Sequence, residues 1–233
     1  MPTLSFTDEE FGPIVLRRSA KATSIRIRVA PNGRLRASMP LYAPTFLVKR
    51  LIKNSRRQLR ELLQEHTRAS VFTEGMSIGK SHTLTVRPSS GKTTSVTRHG
   101  QQIIVSLPFE KDLDDPTVAS KIREKVIEAL RIESKAYLTR RLAYLAREHD
   151  FAYEKVRFSH ASGRWGSCSS SGTISLNIAL MKLPFELIDY VLIHELSHTV
   201  EMNHSSTFWK LVEASDPQYK LHRRLLKQET PSI

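Results

Sequence analysis

The segment Leu183-Pro184-Phe185-Glu186-Leu187-Ile188-Asp189-Tyr190-Val191-Leu192-Ile193-His194-Glu195-Leu196-Ser197-His198 sets the architecture of the C-terminal half. Proline takes the first helical position, where a missing N–H costs nothing. Glu186 and Asp189 follow in the first two turns, where the helix dipole favours carboxylates. The spacing predicts a helix through His198, apolar from Ile188 to Ile193 except for Asp189 and Tyr190. His194 and His198 are four residues apart, so both imidazoles lie on one face about 6 Å apart and can bind a single metal ion. Glu195 lies about 100° around the helix from His194, too far to be a ligand but close enough to hold a water on the ion.

Zinc in a hydrolytic site takes three protein ligands and leaves a position open, so a third donor is expected. His204 follows six residues after His198. On a continued helix it would stand about 9 Å further along the axis and point elsewhere, so the helix has to end first. A turn through Glu201-Met202-Asn203, with Asn203 accepting left-handed backbone, returns His204 to the ion. Ser205 or Ser206 then caps a helix over 207–214.

Upstream, Arg164-Trp165-Gly166-Ser167-Cys168-Ser169 precedes the β-prone run Thr173-Ile174-Ser175-Leu176-Asn177, read as an edge strand on which an extended peptide can lie. Asp114-Asp115-Pro116 supplies an acidic cap and a first-turn proline for a long helix running to about His149 through Ile122, Val126, Leu130, Leu138, Leu142 and Leu145. Before it the chain is β-rich. Ser24 to Val29 alternates, Pro31-Asn32-Gly33 supplies a turn, and Arg34 to Ala37 alternates again. This hairpin signal puts Ile25, Ile27, Val29, Leu35 and Ala37 inward and Arg26, Arg28, Arg34 and Arg36 on the other face. One amphipathic helix is expected after Pro44-Thr45 along Val48, Ile52, Ser55, Leu59 and Leu62, with Arg50, Lys53, Arg57 and Arg60 on a separate stripe. Further strands fall at 82–86 and 102–106. The pattern is that of an α+β protein: a basic β-rich N-terminal domain over 1–112 and a catalytic helical/β domain over 113–233.

The 233 residues are 39% apolar and 25% charged, a globular composition that excludes disordered and collagen-like classes. No apolar run reaches the roughly 18 residues that span a bilayer, so no membrane partner is expected. A lone cysteine, Cys168, and an acidic start without the apolar core of a signal peptide point to a cytoplasmic address. Net charge is +13, and Arg17 to Arg60 holds thirteen Lys and Arg with no Asp or Glu. That stretch is read either as a solvated face or as a non-specific, salt-sensitive contact for nucleic-acid phosphates.

The run from His194 to Trp209, together with Arg164 to Ser169, resembles the YgjP-like metal-dependent hydrolases, relatives of the SprT-like zinc metallopeptidases, and the resemblance extends over nearly the whole chain. It implies a zincin-like catalytic domain with Zn2+ on His194, His198 and His204 and Glu195 as the catalytic carboxylate. The spacing also matches metzincins, but Glu201 stands where they have glycine and no methionine follows to build their Met-turn.

Chemically, a water acidified by zinc, with Glu195 as general base, hydrolyses a peptide bond without a covalent intermediate. A second electrophile for the oxyanion is sought among Tyr219, His222 and Arg164, and Trp165 joins these three as a candidate substrate contact. Trp165 and Trp209 otherwise read as packing residues. Cys168 reads as a small half-buried residue, with an inhibitory thiolate on the metal as the alternative. His66, His82, His99, His149, His160 and His222 lack ligand spacing and read as surface or satisfied groups. Two alternatives stay open: a nucleotide phosphoanhydride hydrolase, and a nucleic-acid-binding protein with a structural metal.

Overall fold

The computed structural model describes residues 4–20, 22–29, 35–68, 72–161 and 163–233, with side chains throughout except at 4 and 64–68. The turn expected at Pro31-Asn32-Gly33, the residue Arg34 and the side chain of His66 lie outside the described residues. The chain is α+β and divides into two compact units, 1–71 and 72–233.

The first unit pairs strands β1 (Leu4–Asp8), β2 (Gly12–Ser19), β3 (Arg26–Val29) and β4 (Leu35–Pro40) in the order β1-β2-β4-β3. β2 and β4 run parallel and the outer pairs antiparallel. The alternation read in the sequence holds: Leu35, Ala37 and Met39 are buried with Ile14 and Leu16, while Arg26, Arg28 and Arg36 are exposed. The single helix expected after Pro44 is two helices, α1 (Thr45–Asn54) and α2 (Arg56–Arg68). Ser55 leaves helical geometry at φ −113°, ψ 17°, and its N–H caps the carbonyls of Leu51 and Ile52. Val48, Ile52 and Leu59 complete the core, whereas Leu62 is exposed because the break rotates the second helix. Asp8 and Glu10 pair with Arg56 and Arg60 of α2.

The second unit opens with β5 (Ser77–Ile78), β6 (His82–Ser89), β7 (Ser95–His99) and β8 (Gln102–Pro108), ordered β5-β6-β8-β7 with β6 and β8 parallel and the outer pairs antiparallel. It is the same four-stranded arrangement as in the first unit, again followed by a helix. That helix, α3 (Pro116–Glu148), is capped by Asp115, whose carboxylate accepts from the N–H groups of Thr117 and Val118. Its buried stripe runs through Val118, Ile122, Val126, Leu130, Leu138, Leu142 and Leu145.

Glu133 on this stripe ties sheet to helix. It accepts from the N–H of Lys80 (2.7 Å) and of Ser81 (2.9 Å), from Ser81 Oγ (2.7 Å), and pairs with His82 Nδ1 (2.6 Å). A Cβ at Gly79, which has φ +62°, would collide with that carboxylate. Leu84, Ile103 and Val105 of the sheet therefore share one core with α3 and the C-terminal elements. The boundary lies at 71/72 rather than at the expected 112/113 because β5–β8 belong to the second core.

A second sheet, β9 (Lys155–Ser159), β10 (Gly166–Cys168) and β11 (Thr173–Asn177), follows in the order β10-β11-β9. Thr173 to Asn177 is thus the central strand, not an edge. Its parallel partner β9 takes the side expected to be open, and β10 takes the other. A 3₁₀ turn (Ile178–Lys182) leads to α4 (Phe185–Ser197), α5 (Ser206–Ser215) and α6 (Tyr219–Leu226). Pro184 is the cap of α4, with extended backbone at φ −50°, ψ 151°, rather than its first helical residue. Arg141 of α3 grips Asp189 of α4 through Nε (2.8 Å) and Nη2 (2.6 Å), a bidentate pair that fixes the helix carrying the histidines. No helix of the described residues is long and apolar enough to cross a membrane.

Candidate metal centre

α4 delivers His194 and His198 on one face, as a four-residue spacing requires. The helix then unwinds over three hydrogen-bonded steps. Thr199 N–H reaches the carbonyl of Leu196, and Val200 and Glu201 N–H reach that of Ser197. Glu201 shapes the return: its side chain accepts from Asn203 N–H at 3.2 Å and its carbonyl meets His198 Nδ1 at 3.1 Å. Asn203 takes no left-handed conformation, since Asp150 alone among the described non-glycine residues has positive φ. The expected turn forms by this carboxylate cap instead. Ser205 caps α5, accepting from Phe208 N–H.

The consequence is a cluster of three imidazoles. One ring nitrogen from each of His194, His198 and His204 lies within 4.8 Å of the others, and His204 Nε2 stands 3.2 Å from His194 Nε2. Phe208, fully buried, underlies all three rings at centroid distances of 5.0, 4.5 and 4.8 Å. Trp209 stacks on His204 at 5.6 Å and on Tyr219 at 5.5 Å, so its packing role is to hold the His204 ring. The bond to the Glu201 carbonyl places the proton of neutral His198 on Nδ1 and leaves Nε2 free to donate its lone pair. Burial, with His198 and His204 adding to it, drives His194 down to about 3, and burial also lowers His198. Both rings are therefore neutral at physiological pH, the form that binds a cation.

Glu195 is only 5% exposed and its Oε2 is buried without a partner, as is His194 Nδ1. Burial raises its carboxyl to about 8, and the Arg164 charge pulls the other way. A cavity of about 290 Å³ is lined by Gly166, Ser167, Cys168, His194, Glu195, His198, Met202 and His204. A second, of about 180 Å³, lies between Trp165, Gly166, Tyr190, Val191, His194, Glu195 and Leu226. The three histidines and the unpaired carboxylate converge on the first, a donor set that fits a divalent cation.

Two site features were not read from the sequence. Gly166 is one: a Cβ there would stand 2.5 Å from Glu195 Oε1 and 2.7 Å from its Cγ, so β10 can pass α4 only without a side chain at this position. Asn177 is the other. Fully buried, it donates from Nδ2 to the carbonyls of Ala161 (2.6 Å) and Arg164 (2.9 Å), shaping the loop that presents Trp165 and Gly166. The signal for Gly166 was its place in Arg164-Trp165-Gly166-Ser167-Cys168. Asn177 gave none.

The remaining candidates scatter. Arg164 is exposed and acts on Glu195 through charge. Trp165 lines the second cavity. Tyr219 is buried against Trp209 and borders neither cavity, and His222 is bound to Asp216 at 2.7 Å. Cys168 lines the metal cavity, but burial and then Glu195 push its thiol up, away from the thiolate an inhibitory ligand needs. His82 and His222 are satisfied by carboxylates as expected, while His160 Nε2 is buried without a partner.

This arrangement is that of a metallopeptidase, and comparison agrees. The sequence model of the YgjP-like metallopeptidase domain matches residues 23–229, and the chain belongs to that family. The crystal structure of the metallopeptidase zymogen abylysin from Pyrococcus abyssi is similar at 29% identity, over 39% of this chain and 92% of that one, with a TM-score of 0.36. No curated protein matches. The chain is a hydrolytic enzyme of the metallopeptidase class.

Proposed function

We propose that the chain is a cytoplasmic zinc metallopeptidase in which His194, His198 and His204 hold the ion and Glu195 is the general base. The observation that carries this is the 3.2 Å separation of the Nε2 atoms of His194 and His204. Two ligands on tetrahedral zinc with bonds of 2.0–2.1 Å stand about 3.3 Å apart, so these rings are already set at that spacing. Zinc held there acidifies a water, polarises a carbonyl and draws Glu195 toward its ionised form.

Glu195 then takes a proton from the attacking water and returns it to the leaving amine nitrogen, both within reach of a carboxylate buried in the cavity wall. Its burial favours the protonated state enough to make that transfer reversible. The substrate backbone pairs with β10, whose free edge borders the cavity where the expected strand 173–177 does not. Trp165, Tyr190 and Leu226 give an adjoining apolar cavity for a substrate side chain. Of the three electrophile candidates Arg164 is the one left free to face the substrate, since Tyr219 and His222 are engaged elsewhere.

Incubating the zinc-loaded chain with casein beside Glu195→Gln tests this. Cleavage that the variant loses, while keeping its zinc, supports the reading. Turnover of nucleoside triphosphates with the same Glu195 dependence, and none of casein, would replace it with phosphoanhydride hydrolysis.

A further inference from the structure

The outer face of the first sheet carries a charge pattern that its fold does not require. Register aligns Arg17 of β2 with Ser38 of β4 and Ser38 with Arg26 of β3. One rung further, Val15 aligns with Arg36 and Arg36 with Arg28. Residues in register share a face, so four guanidiniums stand within two rungs and three strands, about 7 Å by 10 Å. All four are exposed, and none makes an ion pair among the described residues. Arg28 and Arg36 are directly opposed, a cross-strand pairing of like charges that destabilises a sheet.

Three carboxylates of the unit are committed to helix α2. Asp8 and Glu10 pair with Arg56 and Arg60, and Glu61 with Arg57 at 3.1 Å. Helices α1 and α2 pack on the opposite, apolar face. The second unit supplies an internal control, because its sheet has the same strand order and pairing senses. There the corresponding face holds Thr85, Ile104 and Thr97 in one rung and Arg87, Ser106 and Ser95 in the next, a single arginine among β-branched and neutral residues that an exposed sheet favours. Arg17 has its counterpart in Arg87, but Arg26, Arg28 and Arg36 stand where the second sheet has Ser95, Thr97 and Ile104, a departure from its own twin made against stability. Such departures mark function.

We infer that this face binds the sugar–phosphate backbone of nucleic acid, without reading sequence. Guanidinium forks match phosphate oxygens, and closely spaced cations match a polyanion whose charges repeat at short intervals. Ser5, Thr7 and Ser38 add small polar groups to the same face. The inference is independent of the metal centre.

The test is anisotropy of a fluorescein-labelled 24-base-pair DNA duplex with the full chain at 50 to 200 mM salt. Four phosphate contacts give a slope of log affinity on log salt of about −3.6, a loss of about 150-fold across that range. Arg26→Gln, Arg28→Gln, Arg36→Gln and Arg17→Gln each lower the loss to about 40-fold, with the thermal midpoint unchanged or raised. Arg50→Gln and Lys53→Gln on α1 leave the slope as it is. The inference is overturned by absence of binding at 50 mM salt, or by α1 variants that lower the slope as much as the sheet variants do. It is also overturned if polyglutamate or phosphatidylglycerol vesicles compete with the affinity of DNA and the same arginine dependence.

Discussion

Gly166→Ala tests the proposed role of Glu195 separately from the proposed metal site. The new methyl would lie 2.5 Å from Glu195 Oε1, where ordinary contact begins at 3.4 Å, so the carboxylate has to retreat by about 0.9 Å. Gly166 does not have positive φ, so the substitution strains no backbone, and the three atoms nearest the new methyl all belong to Glu195. A displacement of about 1 Å of a reacting group costs about 10²-fold in rate, near 2.7 kcal/mol of transition-state stabilisation. The expected result with a quenched fluorescent casein is kcat reduced about a hundredfold, KM within a factor of about two, and one equivalent of metal retained. In a Glu195→Gln background the same methyl should have no further effect, because it acts through that side chain. Gly166→Ala at wild-type kcat, beside an inactive Glu195→Gln, would refute the reasoning that this carboxylate works from a fixed place.

Further outcomes follow from the surroundings of the site. Phe208→Ala empties a fully buried position under three rings, so it should cost about 3–5 kcal/mol in urea unfolding and weaken metal binding as well. Glu201→Ala removes the cap on Asn203 N–H and loosens the return of His204; competition with a metal indicator should show affinity reduced about tenfold, with the fold intact. Glu133 is raised by burial, but bonds from His82, Lys80 and Ser81 outweigh this and hold it below its ordinary 4.5. Its stabilising contribution is present above the unfolded-state value and is lost as pH falls through the lower folded one. Urea midpoints should drop below pH 4.5, and Glu133→Gln should cost about 2 kcal/mol at pH 7 and flatten that decline.

What was legible in the sequence was local. The spacing of His194 and His198, the Asp115 cap and the alternation flanking residue 30 each act within a few residues, and each appears as read. His204 was found by asking what a third ligand requires, although the carboxylate of Glu201, not a left-handed Asn203, makes the turn. Pairings between distant segments were not legible. Parallel partners such as β9 with β11 or β2 with β4 leave no mark at a fixed offset, so Thr173 to Asn177 was placed at an edge and the duplicated sheet went unseen. The domain boundary failed for a related reason: Glu133 reaches back about fifty residues to Lys80, Ser81 and His82 and draws β5–β8 into the second core.

The central claim is that three imidazoles share one ion, and metal content measured by plasma mass spectrometry after equilibrium dialysis tests it most directly. Wild type and Glu195→Gln should each hold one equivalent of zinc, while His194→Ala, His198→Ala and His204→Ala should each lose most of it at the same free-metal concentration. A His204→Ala variant that keeps one equivalent with wild-type affinity would contradict the assignment of the site.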